Sequence, residues 1–128
     1  MIVLDTNAVL YFLLQNDEEK AVCVRDTMEQ ETCLIPVEVF AEAVYVLDKA
    51  YCIDRTQIQR KLLGFLQNEN VETTRRGVVE KALRYFGETK LDFVDCLMVG
   101  YALVEGHRIF TFDKKLNKIL TQTDKSEP

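Results

Sequence analysis

Tryptophan is absent from the 128 residues, histidine appears once, as His107, and proline only twice. One imidazole excludes catalysis by a histidine pair and any zinc site built on several histidines. The four cysteines, Cys23, Cys33, Cys52 and Cys96, are far apart and form no CxxC pair, which excludes a zinc ribbon and a thioredoxin-like redox motif. Each lies in an apolar or helical context, so all four are expected to be buried free thiols. A chain of that kind belongs to a reducing, cytoplasmic setting. Long apolar runs are missing as well. No stretch approaches the ~18 residues of a membrane span, and no basic segment precedes an apolar run at the start. Positive charge is also scarce, with 16 basic against 21 acidic residues and a net charge of -5. Mainly electrostatic nucleic-acid binders are basic, so a nucleic-acid role here needs another source of positive charge.

What is present is the make-up of one globular domain, 48% apolar and 29% charged, with enough apolar residues to bury a core. Residues 1–120 read as a single domain and 121–128 as a polar, frayed C-terminal tail. Met1–Leu4 is a short apolar run stopped by Asp5-Thr6-Asn7, which suits a central parallel strand. Asn16-Asp17 followed by Glu18 and Glu19 predicts a helix start. Thr32–Ile35 reads as a strand ended by Pro36. Val37–Tyr51 and a segment from about Asp54 to Gln67 read as helices, Val71–Thr74 as a short strand, and Gly77–Phe86 as a helix. Asp92–Glu105 is the most apolar helix, uncharged from Cys96 to Val104 and so expected to be buried all round. Gly106 closes it, Ile109–Phe112 reads as a last strand, and a lysine-rich amphipathic segment follows. Strand-like runs alternating with helices predict an α/β fold, a mainly parallel sheet with helices on both faces.

Ligands of open parallel sheets sit beyond the carboxyl ends of the strands. Asp5 ends the first strand and Asp113 follows the last, so both are expected at that edge. Each has an ordinary alternative as a helix N-cap. An ionised carboxylate at the end of a buried strand is nevertheless costly unless it is paired or binds metal. In the Val37–Tyr51 helix, Val39, Phe40, Ala43, Val44, Val46, Leu47, Ala50 and Tyr51 form one apolar arc. Glu42 stands on its shoulder, about 40° from Val46, and so is the acid expected to look inward. Asp48 falls roughly opposite the middle of the arc. Asp95 lies at the mouth of the apolar helix with Asp92 one turn earlier. Asp92 suits an N-cap, whereas two acids at the entrance of a dry helix repel each other. Asp5, Glu42, Asp95 and Asp113 come from four elements. A carboxylate cluster is what Mg²⁺ or Mn²⁺ prefers, and without a Ser–His or Cys–His pair metal-assisted hydrolysis is the natural chemistry. The metal would also supply the missing positive charge.

Four segments together resemble the PIN domain, and within it the VapC-type toxins of toxin–antitoxin pairs. They are Val3-Leu4-Asp5-Thr6-Asn7, Phe40-Ala41-Glu42-Ala43-Val44, Phe93-Val94-Asp95-Cys96-Leu97 and Ile109-Phe110-Thr111-Phe112-Asp113, in order from about Ile2 to Leu116. The resemblance implies a three-layer α/β/α sandwich and a Mg²⁺- or Mn²⁺-dependent endoribonuclease. It implies an acidic metal site of Asp5, Glu42, Asp95 and Asp113, with Thr6, Asn7 and Thr111 as polar neighbours and Asp92 as a further acid. It also implies an RNA substrate, a homodimer, and a cognate antitoxin whose C-terminal segment enters the groove. Arg75, Arg76, Lys114, Lys115 and Lys118 are candidates for phosphate contacts.

Two other classes compete. A phosphatase of the haloacid-dehalogenase type wants a second Asp two residues after Asp5, where Asn7 stands. A receiver domain wants paired acids after the first strand. A catalytically inactive PIN-like module that binds RNA or a protein partner would be marked by loss of an acid, and all four are present. The nuclease ranks first, the binding module second.

Overall fold

The computed structural model describes the backbone of residues 1–126 and the side chains up to residue 122. Strands β1 (Ile2–Val3), β2 (Cys33–Leu34) and β3 (Val71–Glu72) form a parallel sheet in the order β1-β2-β3. Its register pairs Ile2 with Cys33 and Cys33 with Val71. The ladder extends past the short strands, because Leu4 N–H donates to Leu34 O at 3.0 Å and Ile35 N–H to Glu72 O at 2.8 Å.

Between and after the strands run α1 (Thr6–Leu14), α2 (Glu18–Gln30), α3 (Val37–Lys49), α4 (Arg55–Leu66), α5 (Arg76–Glu88), α6 (Phe93–Glu105) and α7 (Lys114–Ser126). Local chemistry starts and stops several of them. Asp17 accepts from Lys20 N–H at 3.1 Å at the start of α2, and Glu18 and Glu19 lie at the helix's positive end. Pro36 precedes α3, where its missing donor is no loss. Gly106 ends α6 in the left-handed conformation, φ 72°.

The core gathers Phe40, Ala43, Val44 and Leu47 of α3, Ile58, Leu62, Phe65 and Leu66 of α4, and Val78, Val79, Ala82, Leu83 and Phe86 of α5. Each of the larger side chains among these, the alanines apart, contributes about 1.5–3 kcal/mol on burial. Helix α5 packs most extensively on α6, and α3 touches α1, α4 and α6. A central α3 therefore lies next to the start of α6, which places the two helices' acids on one side of the molecule.

Several expectations are corrected. Ile109–Phe112 is not a strand, and β1 is left as an edge. Local bonds turn that segment toward α7: Thr111 Oγ1 accepts from Asp113 N–H at 3.1 Å, and Thr111 O from Asn117 Nδ2 at 2.9 Å. Side-chain bonds of this kind compete with a ladder. Phe110 and Phe112 are 88% exposed and lie edge to face against each other. Residues 121–126 continue α7 instead of leaving as a tail, since nothing there breaks a helix; residues 127 and 128 lie outside the described residues. Helix α6 is not dry all round, because Val94 and Val104 are exposed at its two ends. Only Cys33 and Cys96 are buried; Cys23, on an outward face of α2, and Cys52, in a left-handed turn after α3, are exposed.

Candidate active site

Asp5 leaves β1 at the carboxyl edge of the sheet and becomes the N-cap of α1, Oδ1 accepting from Ala8 N–H at 2.9 Å. Asp113 does the same for α7, with Leu116 N–H donating to its Oδ1 at 2.9 Å. The capping alternative thus holds for both. Each cap employs one carboxylate oxygen, and both residues stay exposed. Thr6 is buried directly after Asp5, and Asn7 is exposed.

Asp92 occupies the N-cap position of α6 without making a side-chain cap bond. Its carboxylate therefore serves no local purpose and lies in solvent beside Asp95. Asp95, in the first turn, is half-buried. Burial pushes its carboxyl above the usual value, and the charges of Asp113 and then Asp92 raise it further. These three acids share one electrostatic neighbourhood.

Asp95 and Asp92 also face α3. A cleft of about 450 Å³ between the helices is lined by Ala41, Val44, Tyr45, Asp48 and Lys49 from α3, by Phe86 of α5, and by Asp92, Phe93, Val94 and Asp95 at the start of α6. The face of α3 directed at α6 is therefore 41/44/45/48, not the one carrying Glu42, which is exposed. This corrects the inward reading of Glu42, and Asp48 turns into the cleft instead of away from it. The cause is the rotation of α3: its most buried line is Phe40, Ala43, Val44 and Leu47, and α6 lies to one side of that line. Among the described residues, no three His, Cys, Asp or Glu side chains are close enough to hold one ion. Asp113 and Asp92 both act on the half-buried carboxyl of Asp95, while Asp5 caps α1 and Glu42 is exposed on α3. Thr111 acts on the site through its bond to the Asp113 backbone.

Arg55 had no signal in the sequence beyond being a base at a helix start. Its guanidinium lies 3.7 Å over the Phe86 ring, its Nε donates to Phe86 O at 2.9 Å, and its Nη2 donates to Leu91 O. It clasps the end of α5 to the residue before Asp92, and so holds the acidic mouth of α6 in place. Cys96 is buried beneath the same mouth, and loss of solvent pushes its thiol up to about 11, which makes it packing material without a nucleophilic thiolate.

A VapC ribonuclease of Aquifex aeolicus (strain VF5) is 26% identical over 125 residues, which are 93% of this chain and 92% of the relative. No solved structure matches. No helix among the described residues is long and apolar enough to cross a membrane. The PIN domain matches residues 2–120, nearly the whole α/β unit, and the chain belongs to the PIN domain family.

Proposed function

We propose that this protein is a divalent-metal-dependent endoribonuclease and the toxin of a type II toxin–antitoxin pair. The observation that supports the reading is the meeting of Asp48, Asp92 and Asp95 in the cleft between α3 and α6, where Asp113 and Asp92 also oppose the ionisation of Asp95. Like charges brought near one another favour a cation, and an all-carboxylate donor set suits a hard one, Mg²⁺ or Mn²⁺; Lys49, paired with Asp48 at 3.8 Å, is the cation already lining that cleft. The likeness to a VapC ribonuclease supports RNA as the substrate.

Asp95 and Asp113 would hold the metal with Asp92 beside them, and Asp5 and Glu42 complete the proposed acidic set. Asp5 and Asp113 each keep one oxygen free of their capping bonds. A bound ion supplies a water of lowered pKa and neutralises charge on the phosphate. The chain's own residues orient and exclude. The caps at Asp5 and Asp113 fix two carboxylates, the Arg55 clasp fixes the start of α6, and the apolar wall of Val44 and Phe93 lines one side of the cleft. Water attacks the phosphodiester in line, its oxygen bonds to phosphorus, and the opposite P–O ester bond breaks. The family likeness further suggests a three-layer arrangement, a homodimer, and a separately encoded antitoxin.

The second reading, a PIN-like module that binds RNA or protein without cutting, gains from one observation: three acids at metal-holding distance are not found among the described residues. Cleavage of a mixed panel of structured and single-stranded RNAs separates the two, with wild type and Asp5→Asn compared in Mg²⁺, in Mn²⁺ and in EDTA. The nuclease predicts cutting that needs metal and falls at least 100-fold in Asp5→Asn. Cutting that persists in the pure variant overturns the assignment of Asp5. Absence of both cutting and metal binding moves the assignment to the binding module.

A further inference from the structure

A net charge of -5 leaves open where RNA would find positive charge. The structure divides the five basic candidates into two groups. Arg75 pairs with Glu105 at 3.2 Å. Arg76 pairs with Glu80 at 2.8 Å and also donates to Leu66 O at 2.6 Å. Arg75 thus ties the start of α5 to α6, and Arg76 is held within α5 and against the end of α4. Lys114, Lys115 and Lys118 are exposed, and no ion-pair partner is found for them among the described residues.

A fourth cation, Lys90, joins them from the loop between α5 and α6. Lys90, Lys115 and Lys118 line a cleft of about 290 Å³ whose apolar side is Leu91 and Ile119. This cleft neighbours the acidic residues along the chain, Lys90 standing two residues before Asp92 and Lys115 two after Asp113. Two of the lysines, Lys114 and Lys115, open α7. The amino end of a helix carries partial positive charge and is where cations are least favoured. Helix stability therefore does not explain lysines at that place, whereas an anion laid across them does.

Resting on the nuclease reading, we propose that Lys90, Lys115 and Lys118, helped by Lys114, form a track for the phosphates of single-stranded RNA that flank the scissile one. The polyanion is held beside the acids by ammonium groups that touch no reacting atom. These lysines bind without regard to base identity.

The test measures binding of a fluorescein-labelled single-stranded RNA of unselected sequence in EDTA by anisotropy, from 50 to 200 mM salt. It compares wild type, Lys90→Gln/Lys115→Gln/Lys118→Gln, and a control of equal charge change on α2 and α4, Lys20→Gln/Arg25→Gln/Arg60→Gln. The track predicts about tenfold weaker binding in the first variant and a salt slope smaller by about 2, from roughly 0.7 per phosphate contact on single strands. The control stays within twofold of wild type. With metal present, the first variant raises KM and keeps kcat. Equal losses in both variants mean diffuse charge and overturn the proposal. Unchanged binding in the first variant also overturns it, even where wild type cuts RNA with metal; absence of both metal binding and cutting in wild type refutes the nuclease reading instead.

Discussion

Asp95 illustrates how a single carboxyl reports on its surroundings. Its folded value lies above the ordinary 3.8, through burial first and the charges of Asp113 and Asp92 next. The folded protein then holds this proton more tightly than the unfolded chain, so ionisation costs stability. The penalty is absent below pH 3.8, grows as pH rises through the window up to the raised value, and is complete above it. Asp95→Asn is expected to remove it. In EDTA at pH 7 the variant unfolds later than wild type, by about 0.5 kcal/mol for a half-exposed like-charge contact, and near pH 3 the two coincide; thermal melts at both pH values check this. At this scale the sequence was partly legible. Asp5 and Asp113 were identified both as caps and as site acids, and their caps are real because an Asp before a helix accepts from an N–H three residues on. Glu42 is exposed and not turned inward, because a helical wheel gives angles within a helix and not which neighbour it meets.

Helices were the most legible elements. The apolar arc of α3 and the uncharged run of α6 are periodic over many residues, and the caps and breakers Asp17, Pro36 and Gly106 mark their ends. Short strands were harder to read. Ile109–Phe112 has strand composition, yet the ST-type bonds of Thr111 and Asn117 lead it into α7. Contact between two helices was not legible either, and Gly100 shows why. A Cβ added there would lie 2.7 Å from the Val78 carbonyl oxygen and 3.0 Å from Val78 Cγ1. A backbone oxygen cannot move aside as a side chain can, so Gly100 sets how closely α5 and α6 approach. Gly100→Ala is expected to destabilise by about 1–3 kcal/mol through overpacking, seen as a lower urea midpoint at unchanged slope.

At the scale of the whole molecule, charge is segregated. Asp92, Asp95 and Asp113 share one neighbourhood, Lys90, Lys115 and Lys118 share a cleft beside it, and Arg75 and Arg76 are tied to glutamates. A cation bound by the acids would stabilise the folded state by mass action. Mg²⁺ or Mn²⁺ at ten times its dissociation constant contributes about 1.4 kcal/mol, a rise of a few degrees in Tm for a domain of this size. Scanning calorimetry is expected to record that rise in wild type and to lose it in Asp95→Asn/Asp113→Asn, with EDTA restoring the lower value. A rise that persists in the double variant would place the metal elsewhere.

The sequence by itself determined the α/β class, the helices α2 to α6 to within a few residues and the candidate acids, because periodicity, capping and breaker residues act over a few positions and are written along the chain; α1 was read only as an apolar stretch. Tertiary structure alone decided which acids meet. Packing of α3 against α6 turned Asp48 toward Asp95 and left Glu42 outward, and packing of α7 against α6 brought Asp113 within electrostatic reach of Asp95. It also separated the cations, since whether a lysine or arginine meets a glutamate depends on the side chain across the helix interface and not on its neighbours in sequence.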